Sequence, residues 1–181
     1  MALLFANNNS LSAITTKPSG LSGGIMTLLS TQTASSSATI SFTSGIDSTY
    51  DEYVFKFIDI HPATDEAYLT FQGNAAGESG YNETITSTDF RAYNAEDGSA
   101  TALQYSAAFD QAQGTSFQPI TQEIGNDNDQ CASGTLQIFA PSDTTFVKHF
   151  LSASQYSWAG DYTMRDFTAG YFNTTSAIDE I

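Results

Sequence analysis

The chain has 181 residues, of which 20 are acidic and 5 basic, giving a formal net charge of −15. This charge repels nucleic acid phosphates and argues against nucleic-acid binding. The single cysteine, Cys131, excludes an intrachain disulfide. No apolar run approaches the roughly 20 residues that cross a bilayer, so no membrane span is expected. The length suits one hydrophobic core, and 13 Phe and 9 Tyr are available to fill it.

The N-terminal residues form a compositionally distinct segment. Residues 1–24 are rich in Asn, Ser and Thr and contain too few apolar side chains for a core of their own. We expect an extended arm over residues 1–24, which lacks the basic region of a secretory signal, and a domain over residues 25–181. A floppy terminus fits this composition equally well. If the arm docks on a neighbouring subunit, its anchors are Leu3, Leu4 and Phe5.

Strands are predicted first at residues 25–30 and 38–43, which are placed to pair as a hairpin. The segment Tyr50–Ile60 follows, and both of its alternating faces are largely apolar. This pattern predicts a central strand of a packed sheet. The strand ends at His61 and Pro62, because proline cannot donate to a ladder.

The rest of the chain also reads as short strands between turn signals. A short helix competes with strand over residues 102–113, where no strong breaker occurs. No alternation of strands with helices is visible. The pattern therefore predicts an all-β protein, an antiparallel and jelly-roll-like β-sandwich with at most one short helix. The remaining strands are predicted at residues 67–72, 82–86, 89–93, 134–140, 145–151, 156–164 and 167–172.

The densest group of oxygen ligands is the run Gly125–Gln130, which contains Asp127 and Asp129. Carboxylates mixed with side-chain amides suit calcium, so these two aspartates are candidate ligands. The run lacks the spacing of a complete calcium loop, and the same residue types form ordinary tight turns. Calcium is therefore a candidate cofactor, and no other cofactor is expected.

Three aromatic residues, Tyr156, Trp158 and Tyr162, are candidates for stacking on sugar rings or for contacts between subunits. Core packing is the simpler interpretation of these rings. Cys131, His61 and His149 match no nucleophile or metal-ligand spacing. Many pairs of acidic residues are available for glycoside chemistry, but none is distinguished from the others. We therefore expect no enzymatic activity and assign no catalytic residue.

Several segments resemble virion structural proteins of marine tailed bacteriophages, a family abundant in cyanophages. The similarity covers most of the chain after Thr39. Family members continue past the counterpart of Asp179–Ile181 into another pair of strands, which implies a sheet edge that another subunit could cover. The segments that carry the resemblance are Phe42–Tyr50, Glu52–Phe57, His61–Asp65, Phe90–Tyr93, Gly125–Asp129, Thr145–Phe150 and Ala169–Asp179.

The resemblance implies a non-enzymatic particle component that acts with other virion proteins. We expect it on the particle surface, as a head decoration or short fibre held by its N-terminal arm. Self-association is expected, with a homotrimer as the first guess, because closed symmetry would bury aromatic patches. The alternative is a tail-fibre adhesion module that binds host surface carbohydrate through Tyr156, Trp158 and Tyr162.

Overall fold

The computed structural model describes residues 26–181. The predicted arm with Leu3, Leu4 and Phe5 lies outside these described residues. Residues 26–31 belong to a first unit that ends at Thr31, and they are exposed and form no strand. The second unit, Gln32–Ile181, is compact and contains every strand of the described chain.

Strands account for nearly all of the regular secondary structure in the compact unit, which confirms the predicted all-β class. Within residues 26–181 the helical structure is one short 3-10 helix at Ala107–Phe109, and no helix is long and apolar enough to cross a membrane. The strands are β1 (Glu52–Ile60), β2 (Thr70–Phe71), β3 (Asn74–Ala75), β4 (Ile85–Ala95), β5 (Thr101–Tyr105), β6 (Ala112–Gly114), β7 (Gln118–Pro119), β8 (Ala132–Phe139), β9 (Lys148–Trp158), β10 (Tyr162–Phe172) and β11 (Ile178–Glu180).

One large sheet and two small ones make up an antiparallel sandwich. The seven-stranded sheet has the order β1-β8-β9-β10-β4-β5, and β6 pairs with β4 beside β5. The small sheets are β2-β7 and β3-β11, and their side chains pack over one face of the large sheet. We call the covered face the inner face and the opposite one the outer face.

The two layers meet at a group of phenylalanines on the inner face. Phe71 on β2 lies edge-on to Phe150 of β9, with ring centroids 4.9 Å apart, and edge-on to Phe172 of β10 at 6.1 Å. Phe150 and Phe172 are fully buried, and Ile85 and Ile138 belong to the same cluster. Edge-to-face rings of this kind add to the stabilisation from burial alone. This cluster joins the small sheets to the large one.

The hairpin between β9 and β10 sets the register of the sheet centre. Trp158 pairs with Tyr162 across a three-residue loop, and the Asp161 amide donates to the Trp158 carbonyl at 3.0 Å. Asp161 has φ 62°, the left-handed conformation that this loop type places before the second strand. From this turn, β10 pairs along its full length with β9 on one side and β4 on the other.

The prediction that Tyr50–Ile60 is a central strand is wrong, because β1 lies at the end of the sheet order. Its inward Tyr53 is buried as expected, but Ile58 is 71% exposed. The register shift between Phe57 and Ile60 turns Ile60 toward the inner cluster and leaves Ile58 in solvent, so the second apolar face is not a continuous buried face. Lys56 on this strand is the kind of charge that discourages edge-to-edge pairing.

Other boundaries also differ from the sequence prediction. Residues 26–43 form no strand, although Phe42 exchanges two backbone hydrogen bonds with Ile181 at 2.7 and 3.1 Å. The strands predicted at 82–86 and 89–93 are one strand, β4, because pairing with β10 spans the polar residues between them. Residues 102–113 divide into β5, the 3-10 helix and the start of β6. The C-terminal β11 is paired with β3.

Gly170→Ala should destabilise the fold by about 1–3 kcal/mol, the usual cost of overpacking a core. A Cβ at Gly170 would lie 2.6 Å from Phe150 Cζ and 2.5 Å from the backbone oxygen of Thr86. Urea unfolding measures the change, and Thr88→Ser on the exposed side of β4 is the control, expected within about 0.5 kcal/mol of wild type. Equal stability of the two variants would contradict the tight packing at Gly170.

Candidate functional site

The inner face carries a band of polar side chains between two apolar clusters. Its centre is a pair of carboxylic acids, Asp89 on β4 and Asp166 on β10, each 2% exposed. Thr168 pairs with Asp89 and Arg91 with Asp166 across the strands, so the two acids are diagonal neighbours on one face. Diagonal neighbours are separated by roughly 7–8 Å, close enough for their charges to interact.

Each acid accepts one hydroxyl hydrogen bond within the sheet. The Thr168 hydroxyl donates to Asp89 Oδ2 at 2.7 Å, and the Tyr156 hydroxyl donates to Asp166 Oδ2 at 3.0 Å. In the described part of the chain, the second oxygen of each carboxyl group is buried without a hydrogen-bond partner. A buried oxygen without a donor disfavours the ionised form of the carboxyl group.

The burial of these acids shifts their proton affinities. Burial raises the pKa of Asp166 to about 7, and repulsion from Asp89 adds to the rise, while the Tyr156 hydroxyl and Arg91 act against it. Burial also raises the pKa of Asp89, against the hydrogen bond from Thr168. Burial and the neighbouring Asp166 raise the pKa of the Tyr156 hydroxyl, which therefore stays protonated and remains a donor. The pair thus holds protons more strongly than exposed acids do.

Arg91 and several glutamine side chains form hydrogen bonds around the polar band. Arg91 Nη1 donates to the Gln122 amide oxygen, and with the Gln104 amide oriented to accept, Arg91 Nη2 and Nε lie 2.9 and 3.0 Å from its oxygen. Buried Gln118 accepts from the Ser87 hydroxyl at 2.6 Å and donates to the Phe109 carbonyl at 2.9 Å. Buried Gln72 donates to three loop carbonyls at 3.0 to 3.3 Å. These amides fasten the covering loops to the sheet.

The geometry of the buried pair suits proton storage rather than substrate chemistry. Two carboxyl groups with raised pKa values are a pattern found in acid–base catalysis. Catalysis needs a reacting group within hydrogen-bond reach of the acid, and both acids here lie beneath the covering loops at 2% exposure. The pair is therefore a buried structural element with a pH-dependent charge.

The outer face of the sheet is open to solvent and chemically different. From β8 to β5 no Asp or Glu points outward, although the chain has 20 acidic residues. Arg165 is the one permanently charged side chain on this part of the face. The outward residues are Ser133, Thr135, Gln137 and Phe139 on β8; His149, Leu151, Ala153, Gln155 and Ser157 on β9; Thr163, Arg165, Phe167, Ala169 and Tyr171 on β10; Thr86, Thr88, Phe90, Ala92 and Asn94 on β4; Thr101, Leu103 and Tyr105 on β5.

Large apolar side chains are exposed along this acid-free outer face. Leu103 is 74% exposed and Phe90 is 45% exposed. Phe90 stacks on Phe167 with centroids 5.0 Å apart, and the Arg165 guanidinium lies 5.0 Å from the Phe167 ring centre. Contiguous exposed apolar side chains of this kind mark contact surfaces on soluble proteins.

Acidic side chains lie at the rim of the acid-free outer face. Asp110 accepts from the Tyr105 hydroxyl at the β5 end, and Glu52 stands at the end of β1. Asp143 lies beside Phe146 and His149 at the far end of β9, where Phe146 is 70% exposed. An apolar centre within a polar rim is the usual anatomy of a protein interface.

The predicted calcium ligands lie in a tight turn. Asp127 and Asp129 are both exposed, the Gln130 amide donates to the Asp127 carbonyl at 2.9 Å, and the Asp127 amide donates to the Gln130 side chain at 3.2 Å. Among residues 26–181, no group of three or more His, Cys, Asp or Glu side chains is placed to hold a metal ion. The turn accounts for these residues without a metal, and calcium binding stays a prediction.

The predicted aromatic platform is divided between core and edge. Tyr156 is 2% exposed and faces the inner cluster, so its ring is closed to a sugar. Trp158 and Tyr162 are half-buried at the β9–β10 hairpin with centroids 5.0 Å apart, and Trp158 Nε1 donates to Glu123 at 2.6 Å. Trp158 and Tyr162 are therefore in contact and partly exposed, whereas Tyr156 is buried.

The remaining sequence candidates are scattered. His61 donates from Nδ1 to the Gln130 carbonyl at 2.7 Å, whereas His149 is exposed on the outer face beside Tyr171, with ring centroids 5.8 Å apart. Cys131 is half-buried just before β8. The histidines therefore have separate structural surroundings.

Sequence reasoning missed both the buried acid pair and the acid-free outer face. Asp89 and Asp166 are 77 positions apart, and only the pairing of β4 with β10 brings them together. A signal was present in β10, where Phe167, Ala169 and Tyr171 alternate with polar or small residues. That alternation identifies two faces, but it does not say which one is covered.

Comparison of the chain with protein-family models, with curated proteins and with solved structures gives no match.

Asp166→Asn should change how stability depends on pH. The raised pKa means that folded Asp166 keeps its proton up to about pH 7, whereas the unfolded acid loses it near pH 4, so wild-type stability falls across this window. Asparagine keeps an acceptor for Tyr156 and does not titrate. Between about pH 5 and pH 8 the variant should gain up to about 3 kcal/mol relative to wild type, measured by urea unfolding.

The same substitution at exposed Asp129 controls for the loss of one negative charge. The Asp129→Asn variant should follow the wild-type pH dependence. A wild-type minus Asp166→Asn difference that is constant with pH would contradict the raised pKa of Asp166.

Proposed function

We propose that this protein is a non-enzymatic structural component of a bacteriophage particle, displayed on the particle surface as a head decoration or short fibre. In this role it contacts other virion proteins and further copies of itself. The N-terminal segment with Leu3, Leu4 and Phe5 attaches it to the particle. The proposal joins the sequence resemblance to one structural observation, the acid-free outer face.

The outer face supports a role in assembly because it is rigid and exposes aromatic and aliphatic side chains without acidic ones. Its strands are held by continuous pairing of β8, β9, β10 and β4, so contact with a partner costs little ordering entropy. Aromatic side chains such as Phe90 and Phe167 provide a large contact area with few rotatable bonds. A preformed sheet face is what a particle component needs to bind in a defined orientation.

The charge supports a position on the outside of the particle. A net charge of −15 repels packaged nucleic acid, which carries about one negative charge per 1.7 Å of duplex. The same charge keeps an exterior protein soluble. The acids Asp89 and Asp166 are each only 2% exposed, which supports a structural rather than an enzymatic role.

A tail-fibre adhesion module is the alternative, and one observation favours it. Trp158 and Tyr162 form a half-buried aromatic pair at a hairpin, a place where rings can meet a sugar. Burial of Tyr156 removes the third ring of the expected platform. In this alternative, Asp127 and Asp129 bind calcium in the neighbouring turn.

Electron microscopy of intact particles with this chain labelled tests the proposal. Label spread over the head is the expected result and supports a decoration or head fibre. Label confined to the tail would favour the adhesion alternative and lead to a glycan-array measurement. Purified particles without label would contradict both functions.

The adhesion alternative makes a separate prediction about calcium. Millimolar Ca²⁺ should raise the Tm of the wild-type protein, because a ligand that binds only the folded state stabilises it. The double variant Asp127→Asn, Asp129→Asn should lose this response, since calcium requires charged oxygen ligands. Mg²⁺ serves as the control ion. An unchanged wild-type Tm would contradict calcium binding at Asp127 and Asp129.

A further inference from the structure

We propose that the acid-free outer face binds the same face of a second copy, forming a two-fold dimer through the large sheets. This inference rests on the structural role proposed above and names its first partner. Phe90, Phe167 and Ala92 lie at the centre of the contact, and Leu103 projects beside them from the edge strand β5.

Charge is the first reason for choosing a second copy. Two chains of net charge −15 repel each other over most of their surfaces. On the part of the outer face from β8 to β5, no carboxylate points outward, so two such faces meet without acidic side chains at the centre. The rim acids Asp110 and Asp143 stay at the edge of the contact, where solvent screens them.

Area is the second reason. Strands lie about 4.8 Å apart and rise about 3.3 Å per residue, so the face from β8 to β5 covers roughly 700 Å². Two such faces bury roughly 1,400 Å², which is within the range of about 1,200–2,000 Å² for stable protein interfaces. The face is therefore large enough for a specific dimer without further contacts.

Side-chain size is the third reason. Small and large outward side chains alternate on the central strands, because Ala92 pairs with Arg165, Ala153 with Phe167 and Ala169 with Leu151. Leu103 is 74% exposed and projects beside Ala92, where Gln155 and Arg165 line the same concave region. Small residues beside a projecting leucine permit two copies to interdigitate, as the inner faces of packed sheets do.

The charge pattern favours two-fold symmetry over the trimer expected from the sequence. In a ring of three, this face would contact a different surface of its neighbour. Surfaces outside the face carry the acidic residues, for example Glu96 and Asp97 in the turn after β4. Face-to-face pairing avoids placing such residues against the apolar centre, because each face meets its own equivalent.

The mass of the full chain in solution tests the proposal. Light scattering coupled to size exclusion should give twice the 19.4 kDa mass of one chain. Leu103→Glu should weaken self-association by at least about tenfold, because the contact would remove a charged carboxylate from water on each copy. Phe90→Glu should do the same from the centre of β4.

Phe117→Glu is the matched control. Phe117 is 46% exposed, close to the 45% of Phe90, but it lies in the loop between β6 and β7. This variant should keep the wild-type mass. Circular dichroism and Tm confirm that each variant is folded, and Leu103→Glu at the exposed edge strand remains informative if Phe90→Glu does not fold.

Salt gives an independent readout. Raising the ionic strength screens repulsion between the acidic bodies, so dimer formation should strengthen with salt. A monomeric wild-type protein at high concentration and high salt would overturn the proposal, as would a trimer or a dimer unaffected by Leu103→Glu. A monomer that dimerises only after deletion of residues 1–25 would also overturn it and identify that segment as the occupant of the face.

The mass measurement in solution and the labelling of the particle have independent outcomes. A monomer in solution with label on the particle would contradict only the self-contact and leave another virion protein as the partner. A dimer without label on the particle would support the contact and contradict the structural role in a virion.

Discussion

The pairing of β10 along its whole length with both β9 and β4 is the constraint on which the rest of the structure depends. It makes β10 the central strand of the sheet and assigns each of its side chains to one face. Asp166 and Thr168 point inward, while Phe167 and Tyr171 point outward. A shift of the register by one residue would exchange these two sets. The same alternation therefore produces both the polar band inside and the apolar face outside.

The middle of the interior is polar. Apolar clusters around Phe150 and around Tyr156 are separated by Ser152, Ser154 and the acid pair. Such a band costs desolvation energy, and the hydrogen bonds of Tyr156 and Thr168 offset part of this cost. Buried hydrogen-bonded groups accept few alternative arrangements, so the band helps to align the covering loops with the sheet.

The inner face contributes to the stability of the fold, whereas the outer face is available for contacts with a partner. Protons are held inside at Asp166, where burial raises its pKa. Ionised acids lie in turns and at the rim, where they provide solubility. The outer face from β8 to β5 carries rings, small residues, amides and hydroxyl groups, with Arg165 as its one permanently charged side chain. A fold of this kind supports assembly without placing carboxylates in the contact, which connects its architecture to the proposed role in a particle.

The sequence by itself determined the class of the fold and much of its strand content. Turn residues and period-two alternation predicted the antiparallel sandwich, and the strands predicted at 134–140 and 167–172 correspond to β8 and the second half of β10. These signals are local, because turn chemistry and side-chain alternation depend on residues close in sequence. Tertiary structure decided the edge position of β1, the burial of Tyr156 and the meeting of Asp89 with Asp166. These outcomes depend on which distant strands pair and which face the small sheets cover, and neither choice is encoded in local spacing.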